Sequence, residues 1–77
     1  MRRFEVGHCY EDGDRFDPIE VLRRTEKFIL VTNGSTTWRM RIRVDVDGNE
    51  YVEDSSVPKS YRNIGAGVYS TKWEIKD

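Results

Sequence analysis

The chain is poor in the features that usually announce a function. It has one cysteine, Cys9, in 77 residues, so no disulfide can form within it. A secreted domain of this size normally needs such staples, so a reducing, cytoplasmic setting is expected. No apolar run approaches the ~20 residues of a membrane span. Met1-Arg2-Arg3 leads into Phe4-Glu5, not into the apolar core of a signal peptide. An excess of one charge is also missing: thirteen Lys and Arg face fourteen Asp and Glu, for a net charge of −1. A nucleic-acid binder usually shows a clear basic excess, and a DNA mimic a clear acidic one. Any electrostatic function must therefore sit in local stripes.

Helix formers are scarce as well. Leu, Ala and Met total five, whereas Val, Ile, Thr, Phe, Tyr and Trp total 27. That bias predicts a mainly antiparallel, all-β fold. Residues 1–77 make one domain, which buries only roughly 60% of the surface exposed by the unfolded chain. A deep enclosed active site is not expected.

Period-two alternation outlines the strands. Arg3 to Tyr10 reads as the first, with Phe4, Val6, His8 and Tyr10 on one face and Gly7 marking a bulge or close approach. Glu11 to Asp14 reads as a turn. Ile19 to Arg24 places Ile19, Val21 and Arg23 opposite Glu20, Leu22 and Arg24. A helix over Pro18 to Lys27 competes, with Asp17 as N-cap, but its apolar stripe does not continue. Lys27 to Thr32 is apolar on both faces, and Arg24 to Lys27 is the hairpin before it. Asn33-Gly34 favours a type I′ turn. Next comes the cleanest alternation: Trp38, Met40, Ile42, Val44 and Val46 against Arg39, Arg41, Arg43, Asp45 and Asp47. This predicts a half-buried strand with all five apolar residues inside. A turn at Asp47 to Glu50, a short strand Tyr51 to Glu53 and a last strand Val68 to Ile75 follow. Between them, Asp54 to Gly67 is irregular, with Tyr61 and Ile64 as expected anchors to the core. Phe4, Phe28, Trp38 and Trp73 fall on expected inward faces. Five to six short strands joined by tight turns predict a small meander sheet or partly open β-barrel, with room for one short helix.

Candidate chemistry is thin. His8 and Cys9 are adjacent, but neighbours on a strand point to opposite faces, so a Cys-His dyad is disfavoured. A core or sheet-face histidine beside a buried thiol is the expected alternative. One Cys and one His fall short of a structural zinc set. The acidic cluster Glu11, Asp12, Asp14, Asp17 and the run Asp45 to Asn49 both lack the calcium-loop spacing, and solvated turns are expected. Gly65-Ala66-Gly67 lacks the lysine and helix of a phosphate loop. No enzyme, cofactor or metal is expected.

The basic stripe Arg39, Arg41, Arg43 is the one pattern that points to a partner. Alternate residues on a strand lie ~6–7 Å apart on one face, and Arg23 or Lys27 on a neighbouring strand extends the stripe. Nine of the thirteen basic residues are Arg, the better residue for phosphate, carboxylate and aromatic contacts. The plainer alternative is a solvated face neutralised across strands by Glu20, Glu50 or Glu53. Tyr61 joins the candidate surface as a tyrosine beside arginines, a common interface hot spot or base-stacking platform.

Four stretches taken together carry a resemblance: Phe4-Glu5-Val6-Gly7 with Tyr10, Ile19 to Phe28, Arg41 with Arg43, and Gly48 to Val52. The chain resembles small proteins encoded on phages, plasmids and integrated elements of gut Firmicutes, over roughly residues 4 to 53. Residues 54 to 77 depart from that pattern. The resemblance implies a mobile-element setting inside a bacterial cell and no particular chemistry. In size, β-rich composition and lack of an active site the chain is also similar to anti-CRISPR inhibitors, which block an effector nuclease. The expectation is a non-enzymatic interaction protein whose partner is a bacterial or element-encoded nucleic-acid-handling protein, such as a CRISPR effector nuclease. Direct nucleic-acid binding by a small barrel, or a structural role in a phage particle, are the alternatives.

Overall fold

A computed structural model describes residues 1–14 and 17–75. Six antiparallel strands follow one another round a closed barrel: β1 (Cys9–Asp12), β2 (Ile19–Arg24), β3 (Phe28–Thr32), β4 (Thr37–Val44), β5 (Glu50–Glu53) and β6 (Val68–Ile75). One short helix, α1 (Lys59–Arg62), interrupts the β5–β6 connection. β1 closes the ring by pairing with β6, through a register shift between Tyr10 and Asp12. The fold is thus the expected small β-barrel with one helix, closed and not partly open. Closure gives every described strand a neighbour on both sides.

The core is drawn from alternate residues of all six strands: Tyr10, Ile19, Val21, Ile29, Val31, Met40, Val52 and Tyr69, with Phe4 added from the N-terminal segment. Trp38 and Ile42 pack against this cluster at its margin. Pairing of Ile29 with Met40 and of Val31 with Trp38 sets the inner face of β3. Phe28 and Leu30 therefore point outward, opposite Arg41 and Arg39. This corrects the expectation that Phe28 faces inward. Trp73 is only half-buried.

The first strand is shorter and later than its alternation predicts. Gly7 has φ +88°, a left-handed turn that an extended strand cannot contain. The turn leaves Val6 exposed and His8 outside the core. Phe4 is still buried, edge-on to Tyr10 with ring centroids 4.8 Å apart. Glu11 and Asp12, expected in a turn, belong to β1, and the turn falls at Gly13 and Asp14. Gly13 is tied to the α1–β6 loop, its N–H donating to the Gly65 carbonyl at 3.0 Å. A Cβ at Gly13 would meet the Gly65 Cα at 2.6 Å.

The strongest alternation is also overturned at its end. Val44 is 62% exposed and Val46 fully so. β3 begins at Phe28, opposite Arg41, so β4 beyond Ile42 outruns its neighbour and leaves the core behind. The strand stops at Val44, and the Asp45 carboxylate caps the turn by accepting from the Asp47 and Asn49 N–H groups, both at 2.9 Å. Residues 33 to 36 form a four-residue loop between β3 and β4 in place of a two-residue turn, held by Asn33 Oδ1. Tyr61 and Ile64 do not anchor the 54–67 segment, because both are exposed. Val57 instead packs within the segment, where a Cβ on Gly67 would lie.

Candidate functional site

A bulge in β2 between Val21 and Arg23 turns the strand, and with it two arginines. Arg23 stays outside. Arg24 turns inward, where Nη1 and Nη2 donate to the two carboxylate oxygens of Glu50 at 2.7 and 3.0 Å. Nη1 also donates to the Phe4 carbonyl, and the Phe4 N–H donates to Glu50 Oε1 at 2.8 Å. Burial pushes the Glu50 carboxyl up, but Arg24, the Phe4 N–H and Arg3 outweigh it and hold the group below its ordinary 4.5. The hydrogen bonds from Arg24 to Glu50 raise the guanidinium value in turn. This pair fastens the N-terminal segment to β5. Sequence spacing did not reveal it, because 26 residues separate the partners and only the bulge brings Arg24 inside.

β4 carries the stripe. Arg39, Arg41 and Arg43 are all exposed on its outer face. The cross-strand carboxylates of the neutralised-face alternative are occupied elsewhere or distant. Glu50 binds Arg24, Glu53 binds Arg62 at 3.0 Å, and Glu20 pairs with Thr32 and Cys9 on the far side of β3. No carboxylate among the described residues lies within ion-pair distance of the three guanidiniums. Arg39 instead lies over the Phe28 ring, 4.8 Å from its centroid.

The remaining candidates divide. Lys27 lies beside the stripe: its carbonyl accepts from the Ile42 N–H at 2.7 Å, and it shares a groove with Arg41, Ile42 and Val44. Arg23 is on the same outer surface but across Leu30, which pairs with both Arg23 and Arg39. Tyr61 stands exposed on α1. Its neighbour Arg62 is the residue the sequence did not single out. Arg62 closes a cleft of about 220 Å³ against Arg39, Arg41 and Arg43, with Trp38, Glu53, Asp54 and Ser55 in the walls. Nothing in residue spacing links α1 to β4; the fold-back after β5 does.

His8 is neither in the core nor on a sheet face. Its Nε2 lies 3.4 Å from Glu5 Oε2 and its Nδ1 3.3 Å from Glu74 Oε2. These three residues form the one His-carboxylate group among the described residues with ligand-type atoms within 4.8 Å of one another. The two carboxylates sit against different ring nitrogens of His8. Cys9 is half-buried.

The acidic cluster is a solvated turn only in part: Asp14 and Asp17 are exposed, as expected, but Asp12 is not. Asp12 is buried in β1 opposite Tyr69. With Asp14, Asp17 and Asp54 it lines a cavity of about 410 Å³ at one end of the barrel. Burial, reinforced by the charges of Asp12, Asp54 and Asp17, pushes the Tyr69 hydroxyl up to about 12. The surface is therefore segregated, with an arginine face on β4 and a carboxylate-lined mouth beside it. No helix is long and apolar enough to cross a membrane among the described residues. No protein-family model, curated protein or solved structure matches the chain.

Proposed function

We propose that the protein works by binding, without catalysis, and that the outer face of β4 is its docking surface. The observation that carries this reading is the row of three guanidiniums with no carboxylate partner among the described residues. Like charges aligned on one face repel, and a fold that neutralises Arg24 and Arg62 by direct pairing leaves these three to an anionic partner. Taken with the resemblance to mobile-element proteins, the partner we propose is a nucleic-acid-handling protein of the bacterial cytoplasm, with an acidic patch facing the stripe. Inhibition of such a protein, as anti-CRISPR proteins achieve, is the sharpest form of the proposal.

One observation favours a second reading, direct binding of nucleic acid. The Arg39–Phe28 stack and the half-buried Tyr51, which pairs with Arg43, place aromatic rings among the arginines on an open sheet face. That combination suits a single strand, with bases stacking and the backbone tracking positive charge.

The test is capture from a bacterial lysate with and without nuclease, run in parallel on the parent and on Arg41→Glu. A specific protein retained after nuclease treatment and lost with Arg41→Glu supports the first reading. Capture of nucleic acid alone, with affinity falling linearly on a log–log plot against salt, supports the second. Equal capture by parent and variant overturns both.

A further inference from the structure

Among the described residues, two buried side-chain polar atoms lack any hydrogen-bond partner: Trp38 Nε1 and Arg62 Nε. Both are N–H donors, and both belong to residues lining the cleft between β4 and α1. Buried donors are almost always satisfied, so this part of the molecule is short of acceptors. It is also short of negative charge: four guanidiniums, from Arg39, Arg41, Arg43 and Arg62, face the carboxylates of Glu53 and Asp54. That leaves an excess of two positive charges.

We propose that this cleft is a binding site for a phosphomonoester dianion. The proposal rests on the β4 face being an anion-docking surface, and it assigns the cleft within that face to a phosphorylated group and not to an acidic side chain. At about 220 Å³ the cleft is smaller than sites that enclose a whole ligand, which run ~300–1,000 Å³. It suits one charged group with a few waters. A phosphomonoester carries about −1.5 to −2 charge at pH 7 and three acceptor oxygens, which matches both shortages. A carboxylate would leave one positive charge over. Guanidinium forks also bind phosphate bidentately. Nη1 of Arg62 is held by Glu53 at 3.0 Å, which fixes the residue at the cleft wall. Its Nε and the Trp38 Nε1 are both screened from solvent, so occupation requires both side chains to turn a little toward the anion.

Titration of the isotopically labelled protein with inorganic phosphate, followed through the arginine Nε–H and tryptophan Nε1–H resonances, tests this. The Arg62 and Trp38 signals should shift saturably, and the affinity should fall at least tenfold in both Arg62→Gln and Arg41→Gln. Because Arg41 is exposed, its variant keeps the fold even if Arg62→Gln does not. Binding of a nucleoside 5′-monophosphate should also weaken as pH drops through the monoester second pKa of about 6, and binding of inorganic phosphate as pH drops through its own, higher second pKa. A nucleoside 5′-monophosphate binding tenfold tighter than inorganic phosphate would assign the group to a nucleotide, and equal affinities would assign it to phosphate itself. Equal shifts with acetate at matched ionic strength, or no pH dependence, would overturn the proposal. Such a failure is separable from failure of the docking face, which the Arg41→Glu capture reads independently.

Discussion

Arg24, at the end of β2, and Arg41, in the middle of β4, carry the same guanidinium in opposite settings. Arg24 is mostly enclosed, with a bidentate carboxylate and a backbone carbonyl as partners. Arg41 is exposed on a face where none of the described carboxylates reaches it. The first has its charge spent inside the fold. The second keeps its charge available to something outside. A buried arginine survives only with full compensation, because desolvation of an uncompensated charge costs more than folding can supply. An exposed one carries no such requirement, so its lack of a partner is informative about binding and silent about stability.

The largest break in this comparison should come from Glu50→Ala. Removing one partner of a buried pair typically costs about 3–5 kcal/mol, and here it also strips the acceptor from the Phe4 N–H. Denaturant unfolding should show that loss. A cost below about 1 kcal/mol, as for a surface pair, would show that Arg24 and Glu50 are not a structural lock.

Acid probes the same pair without mutation. The Glu50 carboxyl sits below its ordinary 4.5 in the folded protein. Its ionised form therefore stabilises the fold above that value, and the contribution is lost as pH falls through the folded value. Parent protein should lose stability below pH 4.5 more steeply than Glu50→Gln, which has no proton to take up there. Parallel pH profiles would remove Glu50 from the explanation.

Arg41→Glu tests the other side. Stability should change by no more than about 0.5 kcal/mol, because the position faces solvent. Binding to the captured partner should fall about 30-fold, or ~2 kcal/mol, as for reversal of an interface arginine. A large drop in melting temperature would erase the distinction between the two arginines.

A smaller effect is expected at Phe28. A double-mutant cycle of Phe28→Ala with Arg39→Ala should return a coupling of about 0.5–1 kcal/mol for the exposed cation–π contact. The smallest effect belongs to Val46→Asp, which should cost less than about 0.5 kcal/mol. Had the alternation of β4 run to its end inside the barrel, that change would bury a charge and cost several kcal/mol.

Alternation alone was enough to establish a small antiparallel β domain, the position of five of its strands to within a few residues, the outward direction of Arg39, Arg41 and Arg43, and the inward direction of Met40. These are local properties, since the side-chain period of a strand is set by its own backbone. Only the tertiary structure decided where each strand meets its neighbour. The β2 bulge sends Arg24 inside, the Gly7 turn ends the first strand early, the start of β3 leaves Val44 and Val46 in solvent, and the fold-back after β5 brings Arg62 to the stripe. Each depends on contacts between residues far apart in the chain, and no period within a single segment encodes such a meeting.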